Sequence, residues 1–246
     1  MKKNMILLLA TVIFVAFIYK ADSQIKSPYF VGLGLTTINI MGENGNTRSF
    51  GRDGGSLNEA QPGIEARLLF NINDAKTLRL PIGIDNQFFS AHERFPSGGR
   101  YSVYEHSLNV FSFYSGINYA LFKFPVADAS IYLSLEPRLS YVSNRDLNQT
   151  IIFDNSNLSE PARNDSNVTY VVKDSDIRLG GTFKIGVEGR IRDRFYINAS
   201  FGVSALNLFF RDEKGGSLFN SHIGDNGKEE IIGSTHVTFM IQYRFN

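Results

Sequence analysis

From Tyr29 onward, apolar and polar side chains alternate residue by residue in segment after segment, eight in all and each roughly 11 to 16 residues long. A period of two is what a β-strand imposes on its two faces. In YFVGLGLTT the odd residues Tyr29, Val31, Leu33 and Leu35 are apolar against Gly32, Gly34 and Thr36. Ile64, Ala66, Leu68, Phe70 and Ile72 oppose Glu65, Arg67 and Asn71, and Leu78, Leu80, Ile82 and Ile84 oppose Arg79, Gly83, Asp85 and Gln87. Phe111, Phe113, Ile117 and Tyr119 oppose Ser112, Gly116 and Asn118, with Val110 and Tyr114 blurring the contrast. Four further segments, around 131–141, 177–191, 195–210 and 234–245, repeat the scheme. Strands of globular sheets run to ~5–6 residues, whereas a tilted strand crossing a bilayer needs ~9–11 plus overhang.

The connections divide into two kinds. Those at Asn73 to Thr77 and Arg192 to Arg194 are tight, and the one around Phe122 to Ser130 is moderate. The other four, 41–60, 91–106, 143–176 and 211–230, are long, polar and rich in Gly, Asn, Asp and Ser. Short and long joins alternate, as in an up-and-down barrel with one plain rim and one elaborated rim. The last segment, STHVTFMIQYRFN, sets Val237, Phe239, Ile241, Tyr243 and Phe245 against His236, Thr238, Gln242 and Arg244, with Met240 the one apolar residue on the polar side. Its unpaired edges are satisfied if it pairs with the first strand and closes the barrel. The predicted fold is all-β: an eight-stranded antiparallel up-and-down transmembrane β-barrel with short periplasmic turns and long extracellular loops.

The N-terminus reads differently. Lys2 and Lys3 precede the apolar run MILLLATVIFVAFIY, and Ala21 and Ser23 are the small residues two apart that precede a cut. Residues 1–23 are predicted to be a secretory signal peptide and 24–246 the barrel domain. An uncleaved membrane helix is the competing reading, although about 15 apolar residues fall short of the ~20 a bilayer needs.

Charge and composition exclude several classes. A net charge of +1 gives no basic surface for nucleic acid. With no cysteine there is no disulfide framework, thiol nucleophile, thiolate metal site or N-terminal lipid anchor. A soluble lipocalin-like barrel also alternates, but its outward face is well supplied with charge. Here Gly, Ser, Thr and Asn dominate the polar parity, which suits a crowded lumen.

With these features the chain resembles the small eight-stranded outer-membrane barrels of Gram-negative bacteria, of the OmpX and OmpA-barrel type, over about residues 27 to 246. The most specific element is the final amphipathic strand Val237, Phe239, Ile241, Tyr243, Phe245; Asn246 departs from the pattern by leaving the aromatic penultimate. The resemblance implies a place in the bacterial outer membrane and recognition by the barrel-assembly machinery. Its surroundings are then outer-membrane lipid and lipopolysaccharide, with a possible extracellular protein ligand and no cofactor. The peptidoglycan-binding domain of full-length OmpA-like proteins is not expected to follow the barrel.

If the apolar parity faces lipid, Glu65, Arg67, Asp85, Glu136, Arg138, Lys184 and Glu188 face the lumen. Eight strands leave an interior filled by side chains, so these charges must pair. The expectation is an ion-pair plug; the alternative is a narrow gated path along the same residues. Arg79, Arg190 and Arg244 fall near periplasmic strand ends, in reach of water or lipid phosphate. Tyr119, Phe195, Tyr243 and Phe245 form a predicted lower aromatic girdle, and Phe209 and Tyr141 an upper one. A rim enzyme acting on lipid A would need His with Ser and an acid, and His92, His106, His222 and His236 are the histidines available. No motif fixes their geometry, so no catalytic residue and no metal site are assigned. VGLGLTT lacks the third glycine and helix of a phosphate loop, and its glycines are expected to relieve crowding. The apolar islands TIIF at 150–153 and YVV at 170–172 are expected to prolong strands above the membrane, as an edge for strand addition or as plain surface loop.

Overall fold

The computed structural model describes residues 28–41, 60–73, 75–96, 100–153, 166–169, 175–211 and 231–245. Among these, ten strands form one antiparallel sheet: β1 (Tyr29–Met41), β2 (Gln61–Asn71), β3 (Leu78–Pro96), β4 (Arg100–Ser115), β5 (Ile117–Phe124), β6 (Ala129–Phe153), β7 (Ser166–Thr169), β8 (Ser175–Arg192), β9 (Phe195–Phe209) and β10 (Gly233–Phe245). β4 and β5 are one stave interrupted at Gly116, and β7 lies beside β6 outside the ring, which leaves eight staves. β1 pairs with β10 from Tyr29↔Phe245 to Met41↔Gly233, and β1–β2, β2–β3, β3–β4, β4–β6, β6–β8, β8–β9 and β9–β10 complete the circuit. Closure removes both edges, the condition for strands to exist in hydrocarbon.

The two faces are inverted relative to a soluble protein. Leu33, Leu35, Phe239 and Ile241 point outward and are 60–69% exposed. The intervening Thr36, Thr238 and Gln242 are buried. The chain is a transmembrane β-barrel of the outer-membrane type, with its apolar belt toward lipid and its polar parity within.

The short turns have local causes. The Asn73 side chain closes the β2–β3 turn: its Oδ1 accepts from the Thr77 and Leu78 amides at 2.9 and 3.0 Å, and its Nδ2 donates to Thr77 Oγ1 at 2.8 Å. Lys76 sits there at φ 53°, and Asp193 turns β8 into β9 at φ 40°. Pro125 and a single 3-10 turn, Val126–Asp128, join β5 to β6.

On the opposite rim the structure corrects one predicted loop. Residues 91–106 are largely strand: β3 continues to Pro96 and β4 begins at Arg100, in register from Pro96↔Tyr101 down to Ile82↔Ser115. β6 also runs on through TIIF to Phe153, against β4 on one side and β7 on the other. A sheet of β3, β4, β6 and β7 therefore rises above the barrel mouth. Residues 170–172, like the predicted signal peptide, the long joins 42–59 and 212–230, and His222, lie outside the described residues.

Candidate functional site

The lumen is the densest collection of chemistry in the chain. Glu65, Arg67, Asp85, Glu136, Arg138, Lys184 and Glu188 are all inside, none more than 6% exposed. Lys184 Nζ lies 3.0 Å from Glu136 Oε2 and 3.4 Å from Glu65 Oε1. Arg138 is bonded to Asp85 and lies 3.7 Å from Glu136. Neutral donors complete the carboxylate shells: Ser134 Oγ donates to Glu136 at 3.0 Å, Thr238 Oγ1 to Glu65 at 3.3 Å, and the Tyr114 hydroxyl to Glu65. Two cations approach the Tyr114 ring, Arg138 at 4.8 Å and Lys184 at 5.1 Å from its centre. Arg67 makes no ion-pair contact among the described residues, and its Nε and Nη2 have no hydrogen-bond partner among them.

Arg79 is a correction. It does not stand exposed at the rim but turns inward at the wall of the lower mouth, 3% exposed, bonded to Glu188 and donating to Asn118 Oδ1 at 2.9 and 3.2 Å. With Arg79 counted, four buried cations (Arg67, Arg79, Arg138, Lys184) match four buried carboxylates (Glu65, Asp85, Glu136, Glu188) in number, and a fifth, Arg178, pairs with the part-exposed Asp176 at 2.7 Å, so this interior is charge-balanced among the described residues. Charges taken out of water are tolerable on that condition.

Glycines make the room. A Cβ on Gly186 would lie 2.8 Å from Cε1 of Tyr132, whose hydroxyl donates to Asn198 at 2.9 Å. On Gly83 it would lie 2.6 Å from the Ala66 carbonyl oxygen, with the Tyr114 ring equally close. The glycines of VGLGLTT face Met240, which explains how that apolar side chain sits inside at 1% exposure.

Toward the elaborated rim the lumen changes character. Ile38, Ile40, Phe89, Leu108, Val110 and Val142 form one buried apolar cluster from β1, β3, β4 and β6, with Leu206 and Ile232 packed against it. The alternation rule assigns apolar residues to the lipid side and so misses these. They occupy the interior parity, and their neighbours Asn39, Ser90, Asn109 and Ser143 face out. Below the charges a second cluster, Phe30, Leu69 and Tyr196, narrows the periplasmic end, with Phe30 edge-on to Tyr196 at 5.1 Å.

At that lower mouth lies a pocket of about 90 Å³, lined among others by Lys76, Arg79, Lys123, Asp128, Glu188 and Arg244. Around its outside runs a row of rings: Phe70 to Tyr29 (5.9 Å), Tyr29 to Phe245 (5.1 Å), Phe245 to Tyr243 (4.8 Å) and Tyr243 to Phe195 (5.2 Å). Tyr119 stands half exposed on β5, and Phe239 is on the outer face within the apolar belt. Tyr29 and Phe70 extend the predicted lower girdle onto β1 and β2. Because Phe245 stacks on Tyr29 across the closing seam at 6° between planes, Phe245→Ala is expected to lower stability by about 1–2 kcal/mol. The temperature at which the compact band is lost in gel electrophoresis measures it.

The histidines fall apart from one another. His92 Nδ1 meets Glu105 at 3.2 Å on the exposed hairpin of β3 and β4. His236 is buried, its Nε2 2.5 Å from Ser204 Oγ and 3.1 Å from Ser234 Oγ, with no carboxylate at hydrogen-bond distance among the described residues. No group of three or more metal-ligating side chains occurs among the described residues. The side chain of His106 lies outside the described set.

No family model and no curated protein matches the chain. Among solved structures it is similar to Ail, the attachment invasion locus protein of Yersinia pestis, at 12% identity over 90% of this chain and 100% of that one, TM-score 0.41. It is similar to neisserial surface protein A, at 12% identity over 88% and 97%, TM-score 0.49. It is also similar to the outer membrane protease OmpT of Escherichia coli, at 8% identity over 89% and 97%, TM-score 0.37.

Proposed function

We propose that the chain is a non-enzymatic outer-membrane barrel with a sealed lumen, whose work is structural or adhesive and is carried by its extracellular side. The observation behind this reading is the filled interior: a charge-balanced ion network with an apolar cluster above it and a second below. Water and ions have neither the width nor the polar lining to pass the upper cluster. Glu65, Arg67, Asp85, Glu136, Arg138, Lys184 and Glu188 then act as a plug that rigidifies the barrel. Tyr119, Phe195, Tyr243 and Phe245 anchor its lower edge in the membrane interface. With Phe239 in the belt, Tyr243 and Phe245 present the pattern the barrel-assembly machinery reads. The buried Ser204–His236 pair has no acid partner among the described residues and no approach from the lipid rim, which favours a structural role for it.

The sealed reading predicts no steady conductance across a planar bilayer. A conductance in the native protein that changes in Glu136→Gln or Arg138→Gln would instead support the gated path. For the surface role, cells displaying the chain are expected to adhere to an immobilised protein ligand, and trimming residues 92–105 to a tight hairpin should abolish adhesion while leaving the heat-modifiable barrel intact. Adhesion unchanged by the trimming would remove that part of the reading.

A further inference from the structure

We propose that the pocket at the periplasmic mouth binds a phosphate group, supplied either as free phosphate or by the headgroup of an inner-leaflet phospholipid. Four cations, Lys76, Arg79, Lys123 and Arg244, and two carboxylates, Asp128 and Glu188, line it. The carboxylates are already engaged. Glu188 takes Arg79 and, at 3.0 Å, the Ser130 hydroxyl. Asp128 takes the Tyr196 hydroxyl at 2.8 Å and lies 3.7 Å from Arg244. Among the described residues the charge in excess belongs to the two lysines, which are exposed. The Lys123 ammonium gives one bond to the Ala75 carbonyl and keeps donors to spare. Arg244 Nη1 donates to Tyr196, while its Nε is buried without a hydrogen-bond partner. Two positive charges without a carboxylate partner among the described residues and an unpaired guanidinium donor complement a phosphate anion, whose oxygens accept charged hydrogen bonds whether it is free or the singly charged diester of a phospholipid.

Position supports the same ligand. The aromatic row from Phe70 to Phe195 runs across β2, β1, β10 and β9 at this end of the barrel, and such rings sit at headgroup depth. The pocket thus opens where lipid phosphates lie. Lys76 is held in place by the turn that Asn73 closes.

The test uses the full-length barrel in a phosphate-free maltoside detergent and reads the temperature at which the compact gel band is lost. Sodium phosphate is titrated against sodium chloride at matched ionic strength, and phosphatidylglycerol is titrated in a second arm. The proposal predicts a saturable rise with phosphate over chloride. The double variant Lys76→Asn/Lys123→Gln is expected to weaken the response about tenfold or more, because each charged hydrogen bond lost is worth a several-fold change in affinity. Asparagine suits the positive φ at position 76, and Lys123→Gln alone, expected to cost about threefold, serves if the double variant folds poorly. A rise with phosphatidylglycerol but not with free phosphate identifies a lipid as the source. No rise with either, a rise equal to that with chloride, or an undiminished response in the variants overturns the proposal.

Discussion

Gly186→Val is expected to abolish the folded barrel. The glycine lies on β8 facing inward, and all three atoms nearest to an added Cβ belong to the Tyr132 side chain, two ring carbons and the hydroxyl oxygen, the farthest at 2.8 Å. That ring cannot swing aside. It is fully buried, its hydroxyl is committed to Asn198, and the Arg79 guanidinium lies 5.7 Å from its centre. Overpacking a full interior costs roughly 1–3 kcal/mol for small insertions and more for a branched side chain against a pinned ring. Alanine should therefore fold with a loss of about 1–3 kcal/mol, and valine should yield no heat-modifiable species. Pairing Gly186→Ala with Tyr132→Ala separates crowding from other effects. Relief of the clash predicts a favourable coupling of about 0.5–3 kcal/mol, and strict additivity would show that crowding is not what the glycine relieves.

Lys184→Met is the second large effect. Methionine keeps most of the volume but removes the ammonium shared by Glu136 and Glu65. Both carboxylates stay buried with less compensation, at an expected cost of about 3–5 kcal/mol. Adding Glu136→Gln should recover part of that loss, because it restores the balance of charge. The contrast is Arg192, on the exposed β8–β9 turn 3.8 Å from Asp193, where Arg192→Gln is expected to change nothing measurable. Equal losses from Lys184→Met and Arg192→Gln in equilibrium unfolding would mean that the lumen charges are hydrated and the plug is not a plug.

Most of the barrel was legible because lipid and lumen impose opposite demands on successive residues. Phe239 and Ile241 against Thr238 and Gln242 states the rule in four residues. The rule inverts above the bilayer, where the outer face meets water and the inner one is dry. There Ile38, Phe89, Leu108 and Val142 point in, while Asn39, Ser90, Asn109 and Ser143 point out. Read as one continuous pattern the inversion looks like the end of a strand, which is why 91–106 reads as a loop in the sequence. Recognised as inversion, it marks both the continuation of β3, β4 and β6 and the apolar cluster. Val110 and Tyr114 blurred the parity for a related reason, since both are interior residues.

The charged residues of the lumen were legible by parity, but their partners were not. Nothing in the sequence joins Arg79 to Glu188, which are 109 residues apart, or Arg138 to Asp85, 53 apart. Those pairings depend on closure, side-chain length and the glycines that let the rings in. Arg79 sits at the first turn of β3, where position alone suggests a rim residue, and the Asn118 amide and Glu188 carboxylate draw it inside.

The direction of the two faces can be measured cleanly, because the chain has no cysteine. Single cysteines placed along β10 at Val237, Thr238, Phe239 and Ile241, each carrying a spin label in liposomes, report their surroundings through collisions with oxygen, which partitions into lipid, and with a water-soluble nickel chelate. The structure predicts high oxygen accessibility at Val237, Phe239 and Ile241, and little access for either probe at Thr238. Nickel accessibility at the three odd positions, or equal oxygen accessibility at Thr238, would contradict the inverted barrel, and with it the sealed lumen.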